Sequence, residues 1–203
     1  MSCKRLCLIF LLVCFIPAGC SFLEVQPDPT KYFALTSLPR TGQTARDAVG
    51  TNPLAIGIVP IKFPGYLDRQ QIVTRISQNR FAVAENDRWA EPLEENFSRV
   101  LMQNLSLLLN TDRIVIYPWG KNQQPAYQVQ VEVFRFETNT EQVVELWARW
   151  RIVDSTKKTS SLKESYLTQR ARDKSTEGSV ASMSALVSDL SKEIATAIRA
   201  LAA

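Results

Sequence analysis

The sequence predicts an α+β domain, an antiparallel sheet with two amphipathic helices packed on one face. Three observations carry this expectation. One apolar stripe of helical period lies in the middle of the chain, and a second closes it. Six to eight short stretches of strand character surround the first stripe, mostly in hairpin order. No segment repeats another, and none is of low complexity.

Taken in order, Tyr32-Phe33-Ala34-Leu35 reads as a first short strand. Pro39 to Asn52 is polar, holds two glycines and has no apolar period, so it reads as a loop. In Leu54 to Ile61, Ile56, Ile58 and Pro60 alternate with Gly57, Val59 and Ile61. Both faces are apolar, as expected of a covered central strand. Pro64-Gly65 marks a turn within Phe63 to Arg69. Gln71 to Ser77 and Arg80 to Ala84 then form a strand pair joined at Gln78-Asn79.

A helix is expected from about Glu91 to Leu109, with Leu93, Phe97, Val100, Leu101, Leu105 and Leu108 on one face. Glu91, Glu94 and Glu95 occupy its first turn, where the helix dipole favours acids. Pro92 suits that turn, and Trp89 is placed to staple the helix start to the core. Arg113 to Tyr117 is a short strand. In Tyr127 to Phe136 the alternation of Tyr127, Val129, Val131 and Val133 changes parity at Phe134 and Phe136, which predicts a bulge near Val133. Val143 to Asp154 is a long strand with Val144, Leu146, Ala148, Trp150 and Ile152 on one face. Asp154 to Ser160 is a polar turn, and Ser161 to Thr168 returns as a strand. The last helix runs from about Ser179 to Leu201, its stripe built from Met183, Leu186, Val187, Leu190, Ile194, Ala197, Ile198 and Leu201.

The N-terminus has a different character. Lys4 and Arg5 precede an apolar run from Leu6 to Ile16, then Ala18-Gly19 and Cys20. The run spans 11 residues. A membrane-spanning helix needs about 20, so this length belongs to a signal peptide. The order is similar to a bacterial lipoprotein signal, with Pro17 standing where such signals usually carry leucine. The competing reading is an ordinary secretory signal with an incidental cysteine. On the lipoprotein reading, residues 1–19 are the signal peptide and Cys20 carries lipid. Residues 20–31 are then the tether, and 32–203 form one periplasmic domain. The eleven residues from Ser21 to Lys31 extend at most about 40 Å, so the domain stays close to its membrane. Ser21, rather than aspartate, follows the cysteine, which favours the outer membrane under the lipoprotein sorting rule.

Composition narrows the function classes. Cys3, Cys7 and Cys14 leave with the signal, so Cys20 has no partner for an internal disulfide. Removing Lys4 and Arg5 lowers the formal charge from +4 to +2, which gives no electrostatic case for nucleic acid. With no histidine in the chain, a Ser-His-Asp triad, a Cys-His pair and a histidine zinc site are all ruled out. Glu94 and Glu95 are adjacent on a helix and do not converge on one point. The expectation is a protein without catalytic residues, metal or cofactor.

Three segments read together carry a resemblance. They are Lys31-Tyr32-Phe33-Ala34-Leu35, the run from Ile58 through Pro64-Gly65-Tyr66-Leu67-Asp68-Arg69 to Arg75, and Trp89-Ala90-Glu91-Pro92-Leu93. The chain resembles the ABC-type transport auxiliary lipoproteins. The resemblance implies an outer-membrane lipoprotein facing the periplasm, working with an inner-membrane component and an MCE-domain protein that bridges the periplasm. It also implies lipid transport between membranes and a homo-oligomeric ring at the outer-membrane end. The alternative is a structural or regulatory envelope lipoprotein acting on cell-wall synthesis or outer-membrane assembly.

Two places are candidates for partner contact. Tyr66, Leu67, Asp68 and Arg69 follow the Pro-Gly turn, either as a partner-binding corner or as a turn whose charges satisfy nearby backbone or each other. Trp147, Arg149 and Arg151 lie opposite the helix-facing side of their strand. They form either an interface stripe or a solvated face with arginine stems over the indole.

Overall fold

A computed structural model describes residues 27–39, 53–120, 123–157 and 160–202. Cys20 and the signal segment lie outside the described residues, as does most of the polar stretch between Pro39 and Asn52. The chain order is β1 (Lys31–Phe33), β2 (Ile56–Ile58), β3 (Gln71–Ser77), β4 (Arg80–Trp89), α1 (Leu93–Leu109), β5 (Ile114–Ile116), β6 (Tyr127–Asn139), β7 (Val143–Asp154), β8 (Ser160–Arg170) and α2 (Thr176–Ala202). This is the α+β architecture that the sequence predicts, with both helices packed against one sheet.

The sheet is mixed. Hairpin pairs β3–β4, β6–β7 and β7–β8 are antiparallel, as expected from their spacing. Parallel pairings join them: β1 to β4, β2 to β5 and β6, and β3 to β6. The long strand β6 organises the whole. Strand β7 follows one edge of β6 along its length. The other edge is divided. Strand β2 pairs with Tyr127, Gln128 and Val129, and β3 pairs with Thr138 and Asn139. Between them Lys62 bridges to β6, its N–H reaching the Val131 carbonyl and its carbonyl accepting the Val133 N–H.

The predicted bulge is present, with the β6–β7 register shifting between Val133 and Arg135. Its consequence is a change of facing. Val129, Val131, Val133 and Phe136 are buried beneath the helices, while Phe134 meets Trp147 on the opposite face. On β7 the alternation holds throughout: Val144, Leu146, Ala148, Trp150 and Ile152 are at most 1% exposed, while Arg149 and Arg151 are open to solvent. Several strands extend beyond their expected limits. Strand β4 continues through Glu85, Asn86, Asp87 and Arg88 to a buried Trp89, and β6 continues through Glu137 and Thr138. Trp89 therefore ends a strand rather than leading into the helix.

The core lies between sheet and helices. Phe97 of α1 sets its ring edge-on to both Phe63 and Phe136, with centroids 5.4 Å apart in each pair. Pro92 caps α1 with an extended ψ of 132°, and Asn110 closes the helix in the left-handed region at φ 51°. Helices α1 and α2 run side by side. Arg199 in the last turn of α2 donates to the Leu108 carbonyl at the end of α1.

Two asparagines on the buried face of α1 break its apolar pattern. The Asn96 carboxamide oxygen accepts the Leu35 N–H at 2.6 Å, and that of Asn104 accepts the Leu38 N–H at 2.8 Å. Ser184 of α2 takes the Thr36 N–H at 3.1 Å. The segment after β1 thus lies along the helix pair and satisfies its backbone through side chains instead of a neighbouring strand.

Candidate docking face

The corner at Tyr66 forms because Pro64 and Gly65 turn the chain. The Leu67 N–H closes back on the Pro64 carbonyl at 2.9 Å. The four corner residues then diverge. Leu67 enters the core at 4% exposure. Asp68 and Arg69 are exposed, and neither joins an ion pair among the described residues. Asp68 faces the start of α1, where its charge, after burial itself, helps raise the pKa of Glu94.

Tyr66 turns to the sheet face away from the helices. Its hydroxyl donates to Glu137 Oε2 at 2.7 Å and lies 3.4 Å from the Phe134 carbonyl. Glu137 is 2% exposed and is held from three directions. Arg75 Nε donates to Oε1 at 2.6 Å, the Phe136 N–H donates to Oε2 at 2.8 Å, and Tyr66 completes the set. Phe81 covers this group, stacked on Tyr66 at 4.5 Å and lying beneath the Arg75 guanidinium at 4.4 Å. Burial, reinforced by the bond to Glu137, pushes the Tyr66 phenol well above its ordinary value. Burial works against the charge on Arg75, but the Glu137 carboxylate outweighs it and the guanidinium pKa rises. This knot sits beside β6 between the stretches paired with Lys62 and with β3, where that edge has a break in its ladder.

The second predicted place adjoins the first. Phe134 packs on Trp147 with centroids 4.9 Å apart, and Arg149 lies over Phe134 at 5.1 Å. The Trp147 indole donates to Glu164 Oε1 at 2.6 Å, with Arg149 3.6 Å from the other oxygen. Arg135 pairs with Glu145 at 3.1 Å and reaches over Trp147. Arg151 is exposed and enters no ion pair among the described residues. Strand β8 adds Leu162 and Tyr166, 56% and 58% exposed. A shallow groove of about 360 Å³ runs past Pro60, Lys62, Glu132, Arg151 and Leu162.

Tyr66, Trp147, Arg149 and Arg151 therefore share one face, joined through Phe134, while Leu67 and Asp68 belong to the fold's interior and its helix side. Sequence reasoning missed Phe134, Arg75, Phe81, Glu137, Leu162 and Tyr166. The change of parity at Phe134 was the available signal for one of them. Among the described residues no cluster of three or more acids or thiols is placed to hold a metal ion. No described helix is long and apolar enough to cross a membrane. An open face of aromatic rings, guanidiniums and locally engaged carboxylates suits protein contact.

Comparison with curated proteins by sequence gives no match. Among solved structures, the chain is similar to an uncharacterised protein at a TM-score of 0.67 and 19% identity, covering 83% of this chain and 98% of the other. It is also similar to a protein from Xanthomonas campestris at a TM-score of 0.61 and 12% identity, covering 81% and 92%. These likenesses support the fold alone. The family model described as the ABC-type transport auxiliary lipoprotein component matches residues 34–195. The match spans every strand but β1, the whole of α1 and most of α2, and the chain belongs to that family.

Proposed function

We propose that this chain is the outer-membrane end of an MCE-type intermembrane lipid transport system. Cys20 carries the lipid, and residues 20–31 tether a single periplasmic domain. The domain is non-enzymatic. It docks the periplasm-spanning MCE-domain protein, which continues to an inner-membrane component, and several copies ring its tip. The tether reaches at most about 40 Å, so the spanning part belongs to the partner.

The observation that carries this reading is the face built on Trp147, Arg149 and Arg151 and continued through Phe134 to Tyr66. Its aromatic and guanidinium groups match the residue types that dominate protein interfaces. Co-purification of the lipidated protein from its own envelope tests the reading, and an MCE-domain protein is expected in the eluate. Recovery of a cell-wall synthase with no MCE protein would sink it.

A further inference from the structure

Strand β8 is an open edge of the sheet, pairing among the described strands with β7 alone. Its pairing runs through eleven consecutive residue pairs, Val143–Arg170 to Val153–Ser160, with no register shift. Sheet edges are usually blunted by bulges, prolines, short length or charged side chains, lysine above all; the one lysine of β8, Lys163, lies over the Trp150 ring. Strand β8 has no bulge and no proline.

The direction of its free backbone groups follows from one bond. The Ala171 N–H donates to the Gln142 carbonyl at 2.7 Å, one step beyond the Val143–Arg170 pair. Bonded and non-bonded pairs alternate in an antiparallel ladder. Odd-numbered residues of β8 therefore bond to β7. Leu162, Glu164, Tyr166 and Thr168 turn their N–H and C=O groups to the open edge. The same residues are exposed, and Leu162 and Tyr166 supply apolar surface beside that edge.

The unpaired charges on and beside the outer face are cations, while on the helix face Glu193 of α2 is bonded to Ser165. Arg151, Lys163 and Arg170 are exposed and enter no ion pair among the described residues. Glu164, the one acid of β8, is engaged by Trp147 and Arg149. A second copy of β8 would bring the same cations to the same edge.

We propose that β8 is a strand-addition site for an extended acidic segment of a partner protein. The incoming strand completes the ladder through the even-numbered residues. On the outer face it sets apolar side chains beside Leu162 and Tyr166 and carboxylates towards Arg151 and Arg170, and on the helix face it turns carboxylates towards Lys163, which lies over the Trp150 ring. This deepens the docking reading and rests on it for the identity of the partner.

The probe is a synthetic peptide of about ten residues with valine at its central positions and glutamate at both ends, so that carboxylates fall on both faces, added to the purified domain and followed by residue-resolved amide hydrogen exchange. The amides of Leu162, Glu164, Tyr166 and Thr168 are expected to exchange fast in the free chain and slow on binding, while odd-numbered amides are protected throughout. The same peptide with lysine for glutamate is expected to bind roughly tenfold more weakly. Thr168→Pro removes an outward N–H and leaves the β7 ladder intact, so it should keep the fold and lose roughly tenfold or more in peptide affinity. No binding at millimolar peptide overturns the proposal, as does binding that leaves the even-numbered amides unprotected. The exchange measurement needs no variant, so an unfolded Thr168→Pro chain does not decide the matter. If Arg151→Glu abolishes capture of the envelope partner while the exchange experiment fails, the docking face stands and strand addition falls.

Discussion

The Tyr66 hydroxyl donates to the Glu137 carboxylate at 2.7 Å, joining a turn before β3 to the far end of β6 across 71 positions of sequence. Removing that hydroxyl in Tyr66→Phe leaves a buried carboxylate oxygen with one donor fewer. A loss of about 1–2 kcal/mol is expected, seen as a melting temperature lower by roughly 2–8 °C. An unchanged midpoint would show that the bond contributes nothing net.

The raised Tyr66 pKa makes an alkaline prediction. The unfolded phenol ionises near pH 10, and the folded one only at higher pH. Below about pH 10 both states hold the proton and the stability is fully present. Above it the unfolded state loses its proton first, so stability falls as pH rises towards the folded pKa. Denaturant midpoints measured from about pH 9 to 11 should fall less steeply in Tyr66→Phe than in the parent chain.

Arg151 is exposed and without an ion pair among the described residues, so Arg151→Glu should change stability by no more than about 0.5 kcal/mol. On the docking reading it should still weaken partner capture by roughly tenfold or more. Thermal melting and quantitative pull-down, run on the same preparation, separate the two effects.

Gly57 lies under the loop that follows β5. A Cβ there would stand 2.6 Å from Pro125 Cγ and 2.8 Å from the Trp119 ring. Gly57→Ala should cost about 1–3 kcal/mol through overpacking, with a change in Trp119 fluorescence as the ring is displaced. A neutral melt with unaltered emission would contradict the packing described.

Asn96→Ala removes the acceptor for the buried Leu35 N–H and should cost about 1–3 kcal/mol. Faster exchange at the Leu35 amide is the specific sign. Separately, on the proposed lipid anchoring at the outer membrane, Cys20→Ala should release the protein from outer-membrane fractions, and retention there would refute lipidation as the anchor.

The parts of the fold legible in sequence are those where one face is buried and the other wet. Strand β7 alternates because Ala148 and Trp150 meet the helix layer while Arg149 and Arg151 meet water, and a period of two records that difference. The bulge was legible for the same reason, since Phe134 and Phe136 broke the period. The parallel joins were not. Strands β2 and β5 are three residues each, and their pairing partners lie far away in sequence with no turn to announce them. The expected strand stops at Ala84 because Glu85 to Arg88 carry no apolar alternation, yet β4 runs on and β1 pairs with Asp87 and Arg88. In the candidate site, Trp147 and the arginines could be placed from strand parity alone. Glu137 could not, because its meaning depends on Arg75, which folding brings from 62 positions away. Asn96 and Asn104 were passed over for a related reason: the backbone they satisfy belongs to a distant segment.

That segment also determines how the domain bears load. Tension arriving from residues before Lys31 acts first along β1, in shear against its parallel partner β4. It then meets the bonds from Leu35, Thr36 and Leu38 to Asn96, Ser184 and Asn104. On the proposed anchoring, a pull arriving through these residues must shear β1 from β4 before it reaches the bonds that hold the chain to the two helices.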